Sequence, residues 1–408
     1  MQMGIRLMLK IRPLAESSRR LRIGFAPSLS PFMLARPPVD DLLPPPLDSG
    51  RVILTFSARH AIWNALKVLR LAPEENILMP SYCCGSEVIP MNKYPVQVKY
   101  YRVLHSMEID LDHLENIIDR KTRAVFVIHY FGFPQKIDEI SRFCEEKSLY
   151  LIEDCAHCLY GRSGGRWLGT FGDIGVFSLR KTLPVPDGGA LVINNPDLKF
   201  TGAMVRPPID AYLGRFKYLL RMSVWFHLGG LDVEDFWIVK RAIEGVKRYR
   251  RRFTKDVDYS LGPKSFDPVT GNYQPSWITR AILKKVRSEE VIRVRRKNFL
   301  FLLEHLDQVE GVRPLRADLP EGTCPMFFPL LVSNSTEYSR RLQAGGIPAI
   351  PLWSDDDAFL PKDVFEDTYT LRRTILAIPI HQDLEHRHLT KIVDTLRGIP
   401  SHYRTNSP

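Results

Sequence analysis

The sequence of 408 residues lacks an apolar run long enough to cross a bilayer, which takes about 18 to 20 consecutive residues. Residues 1–22 are basic and no long apolar stretch follows them, so we expect no secretory signal and a cytoplasmic protein. Cysteine is also scarce: the chain has six, which do not suggest the disulfide framework of a small secreted domain.

The cysteines offer little support for a metal site either. Cys155 and Cys158 match C-x-x-C, but a second pair at metal-ligand spacing is missing, since Cys83 and Cys84 are adjacent. Zinc or redox chemistry is therefore less favoured than buried, unreactive thiols, and we predict no metal.

Acidic residues are too few to balance the basic ones, with 46 Asp and Glu against 57 Lys and Arg and a net charge of +11. Residues 200–298 hold 21 Lys and Arg but 10 Asp and Glu, which is the whole excess. Such a patch could attract diphosphates, anionic lipid or nucleic acid, or be a solvated face. Within it, residues 212–252 show a helical pattern whose apolar stripe is Leu213, Phe216, Leu219, Leu220 and Val224. We favour core packing for this stripe over membrane-surface contact, and we expect no nucleic acid partner.

Length and texture predict three regions. Residues 1–50 are a proline-rich arm, residues 51–270 a large domain with a basic helical insert at about 206–255, and residues 271–408 a smaller α+β domain. From Val52 onwards, short β-branched runs alternate with helical patterns, which is typical of an α/β fold with a mainly parallel sheet between helices. Predicted strands are 77–79, 96–101, 124–128, 149–152, 176–178, 190–193, 327–332 and 376–379. Predicted helices are 58–69, 112–118, 137–147, 212–252, 276–308, 337–345 and 385–397.

Two motifs at the ends of these elements suit a phosphorylated ligand. Ser57, Ala58 and Arg59 open a predicted helix, where free backbone N–H groups bind anions, although Ser57 could equally be a simple cap. Asp154 follows a buried strand, at the position where ligands bind in open α/β sheets. A carboxylate there could keep a pyridinium nitrogen protonated, or it could cap the next helix.

A third motif supplies a candidate nucleophile. Lys181 comes just after a predicted strand, with Gly188 and Gly189 behind it and the cation Arg180 beside it. A lysine that is desolvated or flanked by a cation loses its proton more readily and can form a Schiff base. Ser178, three residues before Lys181, can reach a phosphate. Taken alone, a surface lysine would be the simpler interpretation.

In this order the motifs resemble the DegT/DnrJ/StrS family of sugar-nucleotide aminotransferases, which are pyridoxal 5′-phosphate (PLP) enzymes of fold type I in the aspartate-aminotransferase superfamily. The resemblance spans roughly residues 52–398. It is carried by Ser57-Ala58-Arg59-His60-Ala61, Met79-Pro80-Ser81-Tyr82, 127–132, 153–157, 172–178, 188–192, 271–273 and 377–381.

The resemblance implies roles for individual residues. Lys181 would hold PLP as a Schiff base and shuttle a proton, and Asp154 would pair with the pyridine nitrogen. His157 would lie near the phenolic oxygen, and Tyr82 would stack on the ring. The phosphate ligands would be Ser57, Ala58, Arg59, Ser178 and, from the partner subunit of a homodimer, Asn272.

The chain also departs from the family pattern. The family usually has its lysine five residues after the serine; here the distance is three, and Pro184-Val185-Pro186 replaces flexible glycines. Arg59 stands for Thr and His157 for Gln. The shortened loop makes the acceptor site unusual.

The resemblance implies an aminotransferase that moves an amino group from a donor such as glutamate to a keto-sugar nucleotide, in polysaccharide or secondary-metabolite sugar biosynthesis. Two alternatives stay open. One is a PLP-dependent sugar dehydratase, although such members tend to lack the lysine. The other is a non-catalytic PLP-fold protein that binds a partner or a membrane surface through its basic insert.

Overall fold

The computed structural model describes residues 21, 23–38, 43, 45–48, 51–227, 266–306, 309–354 and 365–399. Residues 228–265, which hold much of the predicted basic insert, lie outside the described residues, as does part of the proline-rich stretch. Among the helices of the described ranges, none is both long enough and apolar enough to span a bilayer.

A seven-stranded mixed sheet organises the first half of the chain. Its strands are β1 (Arg51–Thr55), β2 (Asn76–Pro80), β3 (Gln97–Tyr101), β4 (Thr122–Ile128), β5 (Tyr150–Asp154), β8 (Ile174–Ser178) and β9 (Gly189–Ile193). The spatial order is β1-β9-β8-β5-β4-β2-β3. The five strands from β8 to β3 are parallel, and β9 runs antiparallel to both of its neighbours. The short strands β6 (Arg162–Ser163) and β7 (Arg166–Trp167) form a separate ribbon.

The predicted α/β class is therefore confirmed. The central strands are continuous apolar runs buried on both faces, as expected where helices cover both sides of a parallel sheet. The edge strand β1 was missed. Its partner β9 lies more than a hundred residues later in the chain, so no local pattern shows the pairing.

A second, antiparallel sheet lies in the C-terminal part, where a smaller α+β unit was predicted. It consists of β10 (Val312–Pro314), β11 (Phe327–Val332), β12 (Ile350–Pro351) and β13 (Ile375–Pro379), in the order β10-β11-β13-β12. The predicted domain boundary near residue 270 stays a prediction.

The helices are α1 (Pro31–Ala35), α2 (Ala58–Leu69), α3 (Val88–Lys93), α4 (Leu111–Asn116), α5 (Ile137–Glu146), α6 (Leu179–Thr182), α7 (Ile209–His227), α8 (Trp277–Leu283), α9 (Ser288–Leu306), α10 (Ser335–Ala344), α11 (Glu366–Thr374) and α12 (His386–Arg397). The single helix predicted over 276–308 is wrong, since the chain turns between α8 and α9. Ser288, Glu289 and Glu290 are a helix-start signal inside a run of good helix formers, which hid the break.

The N-terminal arm packs on the core instead of extending from it. Ile23, Leu29 and Leu47 are buried. The Ser223 hydroxyl of α7 donates to the Leu29 carbonyl, so the arm covers one face of α7. The apolar stripe predicted on this helix is thus partly core, although Leu220 is 40% exposed.

Candidate active site

Lys181 lies in a single helical turn at the carboxyl end of a central strand. β8 ends at Ser178, and α6 contains Lys181 as its third residue. The Leu179 N–H donates to Gly188 O at 3.1 Å, and the Leu183 N–H donates to Leu179 O at 2.8 Å. The shortened path that the sequence shows here is therefore a closed turn with hydrogen bonds at both of its ends.

Asp154 is the carboxylate that shares this space with Lys181. It ends β5, the parallel neighbour of β8, and is 2% exposed. Its Oδ1 accepts a hydrogen bond from the Ala156 N–H at 2.7 Å. The pKa of Asp154 is raised to about 7. Burial is the main cause, Glu87 acts in the same direction, and Lys181 opposes both. The fold thus brings together the two residues that the sequence placed at the ends of separate strands.

His157 is the third predicted residue at this edge of the sheet. Its Nδ1 accepts a hydrogen bond from the Phe131 N–H at 3.3 Å. Its ring stacks on Trp353 at 5.6 Å between centroids. Burial lowers the pKa of His157 well below its usual value, and Lys181 lowers it further. A neutral His157 whose Nδ1 accepts carries its proton on Nε2, which leaves that atom as a hydrogen-bond donor.

The start of α2 meets the same edge of the sheet. Ser178 pairs with Gly189 across β8 and β9, and a Cβ on Gly189 would lie 2.3 Å from the Ser57 carbonyl carbon and 2.5 Å from the Ala58 nitrogen. Only glycine permits this approach. Ser57 occupies the N-cap position without bonding a backbone N–H, because its hydroxyl pairs with His60 Nδ1 at 2.8 Å. The first turn of α2 therefore has no side-chain cap from Ser57 and suits an anion.

Three arginines surround this helix start. The pKa of Arg180 is lowered to about 9. Burial is the main cause, Arg215 and Arg59 act in the same direction, and Asp187 opposes them. Burial also lowers the pKa of Arg59 and Arg215. Within the described residues, Nε of Arg215 and Oδ2 of Asp187 are buried without a hydrogen-bond partner. Asp187 acts on Arg180 and Glu87 on Arg59, so two carboxylates face three guanidinium groups, and the remaining positive charge favours an anionic ligand. The sequence suggested Arg59 as a ligand, but not the cluster.

Tyr82 is placed near these residues but in a different setting from the predicted one. It is fully buried, and its hydroxyl donates to Leu352 O at 3.2 Å. Its ring packs on Trp353 at 4.8 Å and on Tyr130 at 5.7 Å. Stacking of Tyr82 on a cofactor ring stays a prediction. Trp353, with a backbone φ of 57°, is a neighbour of His157 and Tyr82 that nothing in the sequence singled out.

The Asn272 side chain contacts the far end of α2, although the next residue, Tyr273, accepts a hydrogen bond from the Phe56 N–H at 2.8 Å beside the helix start. Its Oδ1 accepts from Lys67 Nζ at 3.3 Å, and Lys67 is in the last turn of α2. Nine residues separate Lys67 from Ala58, which is roughly 14 Å along the helix. Among the described residues, the Asn272 side chain therefore forms no hydrogen bond with the predicted phosphate ligands of its own subunit.

Sequence reasoning missed one buried acid beside the site. The Cys84 thiol donates to Glu87 Oε2 at 2.8 Å, and Glu87 is buried at the start of α3. The pKa of Cys84 is raised to about 12. Burial is the main cause, Glu87 acts in the same direction, and Lys181 opposes both. Cys84 is therefore a neutral thiol rather than a nucleophile, and its place beside Lys181 could not be read from the adjacent pair Cys83-Cys84.

A possible metal cluster, His129, Glu153 and Cys155, is fully buried behind the site. The Glu153 carboxylate already accepts hydrogen bonds from the N–H groups of Gly169, Phe171 and Gly172, and it pairs with His129 Nε2 at 3.1 Å. Burial raises the pKa of Cys155 and of Cys158 well above the usual value. The group is therefore satisfied as a hydrogen-bonded core cluster.

Comparisons with known proteins agree with this geometry. Residues 47–206 match the model of the DegT/DnrJ/EryC1/StrS aminotransferase family. GDP-perosamine synthase of Vibrio cholerae is 29% identical over 306 residues, which are 72% of this chain and 78% of that protein. A dTDP-4-dehydro-2,3,6-trideoxy-D-glucose 4-aminotransferase of Saccharopolyspora spinosa is 30% identical over 157 residues, 37% of this chain and 40% of that protein.

A solved structure supports the fold. A DegT DnrJ EryC1 StrS aminotransferase from Brucella abortus, 20% identical, superposes with a TM-score of 0.61 over 86% of each chain. The predicted resemblance and the predicted fold type are confirmed. Residues 47–206 therefore resemble the DegT/DnrJ/EryC1/StrS aminotransferase family, and the chain shares the fold of a solved member of that family.

Proposed function

We propose that the protein is a PLP-dependent aminotransferase that moves an amino group from an amino acid such as glutamate to a keto-sugar nucleotide, in polysaccharide or secondary-metabolite sugar biosynthesis. The observation that carries the proposal is the convergence of Lys181, Asp154 and His157 on one edge of the sheet, next to the arginine cluster. The relatives act on GDP- and dTDP-linked sugars by name, which supports a nucleotide-linked acceptor here.

The residues fit PLP at both ends of that molecule. Asp154, a buried carboxylate with one hydrogen bond from the protein, would hold the proton of the pyridine nitrogen. Arg180, Arg215 and the start of α2, with Ser178 opposite, would hold the phosphate dianion. When bound, PLP supplies an electron sink for the amino carbon.

The other roles follow from the groups that remain. Lys181 Nζ forms no hydrogen bond with the described residues, so it can bind the cofactor and move a proton at the amino carbon of the donor. His157, with Nδ1 accepting from the Phe131 N–H, would have Nε2 free to donate to the phenolic oxygen. The presence of Lys181 beside Asp154 favours amino transfer over dehydration.

The test is a visible spectrum of the purified protein after PLP addition, followed by borohydride reduction and peptide mapping. We expect a yellow band and a reduced adduct on the peptide that contains Lys181. Lys181→Ala should abolish the adduct, whereas Lys199→Ala, on an exposed lysine, should leave it unchanged. An adduct on another lysine, or no half-reaction with any amino acid, would refute the proposal. Loss of water from a keto-sugar nucleotide without consumption of the donor would favour the dehydratase.

We also propose a homodimer in which Asn272 binds the phosphate of the partner's site. Two observations support it: the Asn272 side chain accepts from Lys67 and not from the predicted phosphate ligands of its own subunit, and Val269 and Trp277, close to it in sequence, are 87% and 70% exposed. Mixing Lys181→Ala with Asn272→Ala subunits tests the arrangement. If Asn272 acts across the interface, a mixed dimer contains one native site and regains activity at limiting PLP. If it acts within its own subunit, no native site forms and activity stays at the level of the single variants.

A further inference from the structure

Arg295 is a cation buried in the core, and no carboxylate of the described residues forms an ion pair with it, although Asp383 is near enough to act on it through space. It lies on α9, is 1% exposed, and forms no salt bridge with the described residues. All of its hydrogen bonds go to neutral oxygens: Nε donates to Gln382 Oε1 at 3.0 Å, and one terminal nitrogen donates to Met326 O at 2.9 Å and Pro325 O at 3.3 Å. Burying a guanidinium this way is costly unless its hydrogen bonds do something that an apolar side chain could not.

The remaining nitrogen of Arg295 points to the Lys181 turn. It donates to Thr182 O at 3.3 Å, and Gln382 Nε2 donates to the same carbonyl at 3.1 Å. Thr182 is the last residue of α6, directly after Lys181. Two donors from the C-terminal part of the chain, one on α9 and one after β13, therefore meet on one carbonyl next to the candidate lysine.

This carbonyl matters because the turn cannot hold itself. Forming the first turn of a helix fixes several backbone dihedral angles for a single hydrogen bond, and a one-turn helix adds no further hydrogen bonds to offset that entropy. The geometry of α6 therefore depends on contacts with the rest of the protein. Its first N–H is fixed by Gly188 O at 3.1 Å, and its last carbonyl by Arg295 and Gln382. The Lys181 side chain forms no hydrogen bond with the described residues. The backbone of the turn therefore sets the direction in which this side chain leaves the helix.

We propose that Arg295 and Gln382 are positioning residues that fix the Lys181 turn and thereby the direction of the lysine amine. The inference rests on the proposed function, since it assumes that Lys181 binds PLP. These contacts also explain how the segment after Ser178 keeps an ordered turn although Pro184-Val185-Pro186 replaces the flexible glycines of the family. The turn is held by side chains from α9 and from the segment after β13, and both of them donate to the Thr182 carbonyl.

The test compares three variants with the wild-type protein. Gln382→Leu removes the donor to Thr182 O at similar size, and Arg295→Lys keeps the charge but removes the guanidinium that reaches four acceptors. Arg296→Gln is the matched control: Arg296 is the next residue on α9 and also donates to carbonyls, those of Pro320 and Thr323 at 2.8 Å, but not to the Lys181 turn.

Three measurements separate positioning from general stability. The first is hydrogen–deuterium exchange of the peptide that covers residues 179–183, without PLP. The second, with PLP, is the rate at which the Lys181–PLP adduct forms, together with the pH midpoint of its visible band. The third is thermal unfolding, with and without PLP. We expect Gln382→Leu and Arg295→Lys to raise exchange at 179–183 and to slow the adduct about tenfold, equivalent to 1.4 kcal/mol. Both should also move the pH midpoint, while Arg296→Gln changes none of these.

The outcomes distinguish the two proposals. If the wild-type protein forms no adduct on Lys181, the proposed function fails and this inference fails with it. If the adduct forms but the Gln382→Leu protein shows wild-type exchange at 179–183, adduct rate and pH midpoint, the positioning role is refuted and the proposed function stands. Gln382→Leu decides the matter even if Arg295→Lys does not fold.

Discussion

Replacing Asp154 with Asn should stabilise the protein without PLP, and the gain should grow with pH. Burial, followed by Glu87, raises the pKa of Asp154 from 3.8 to about 7. An unfolded chain releases this proton near pH 4, whereas the folded protein keeps it to about pH 7, so the folded state loses stability as pH rises between the two values. The slope is about 1.4 kcal/mol per pH unit, which gives a cost of ~4 kcal/mol above pH 7.

The assay is urea unfolding of the PLP-free wild-type and Asp154→Asn proteins at pH 5 and pH 8. From pH 5 to the folded-state pKa of about 7, the wild type should lose ~3 kcal/mol relative to the variant. Asp197→Asn, on an exposed carboxylate, corrects for the change in net charge. A difference between wild type and variant that does not depend on pH would refute the reasoning. With PLP added the order should reverse, since only the carboxylate can pair with a protonated pyridine nitrogen.

Three further predictions concern the groups around this carboxylate. Arg180→Leu should weaken PLP about tenfold or more, by loss of a charged hydrogen bond, but leave the affinity for pyridoxal, which has no phosphate, unchanged; titration of the visible band with each compound measures this. Gly189→Ala should lower the melting temperature and PLP affinity together, because its Cβ would lie 2.3 Å from the Ser57 carbonyl carbon. His157→Gln should keep most of the half-reaction rate, since Gln retains an N–H donor, whereas His157→Phe should lower it about tenfold; stopped-flow spectra with glutamate would show the difference.

The predicted elements were most accurate where a pattern is local. The helix 58–69 and the strand 327–332 have the predicted bounds, and the six strands predicted in the seven-stranded sheet differ by one or two residues at their ends. A buried strand or an amphipathic helix carries its signal in its own residues. The break between α8 and α9 was missed because it shows chiefly in tertiary contacts: Lys285 Nζ in that turn donates to the carbonyls of Leu34 and Arg36 in the arm.

The candidate site divides in the same way. Lys181 and Asp154 could be predicted because each follows a strand, and the carboxyl ends of parallel neighbours meet at one edge. Glu87, Arg215 and Trp353 could not, because each arrives from an element whose packing no short motif encodes. Ser57 shows a third case: its place at the helix start was predicted, but its hydroxyl bonds His60 instead of the backbone.

The charges around Lys181 explain why a ligand with the polarity of PLP fits this space. Asp154 has Glu87 and Lys181 as its charged neighbours, whereas Arg180 is close to Arg215 and Arg59. Burial and then Glu87 raise the pKa of Asp154, and burial, Arg215 and Arg59 lower the pKa of Arg180. A molecule with a protonated ring nitrogen at one end and a phosphate dianion at the other offsets both effects at once, with Lys181 at the end of the intervening β8 strand. The folded protein without PLP is therefore strained electrostatically at both ends, and Asp154→Asn and Arg180→Leu should each relieve one end while weakening the ligand.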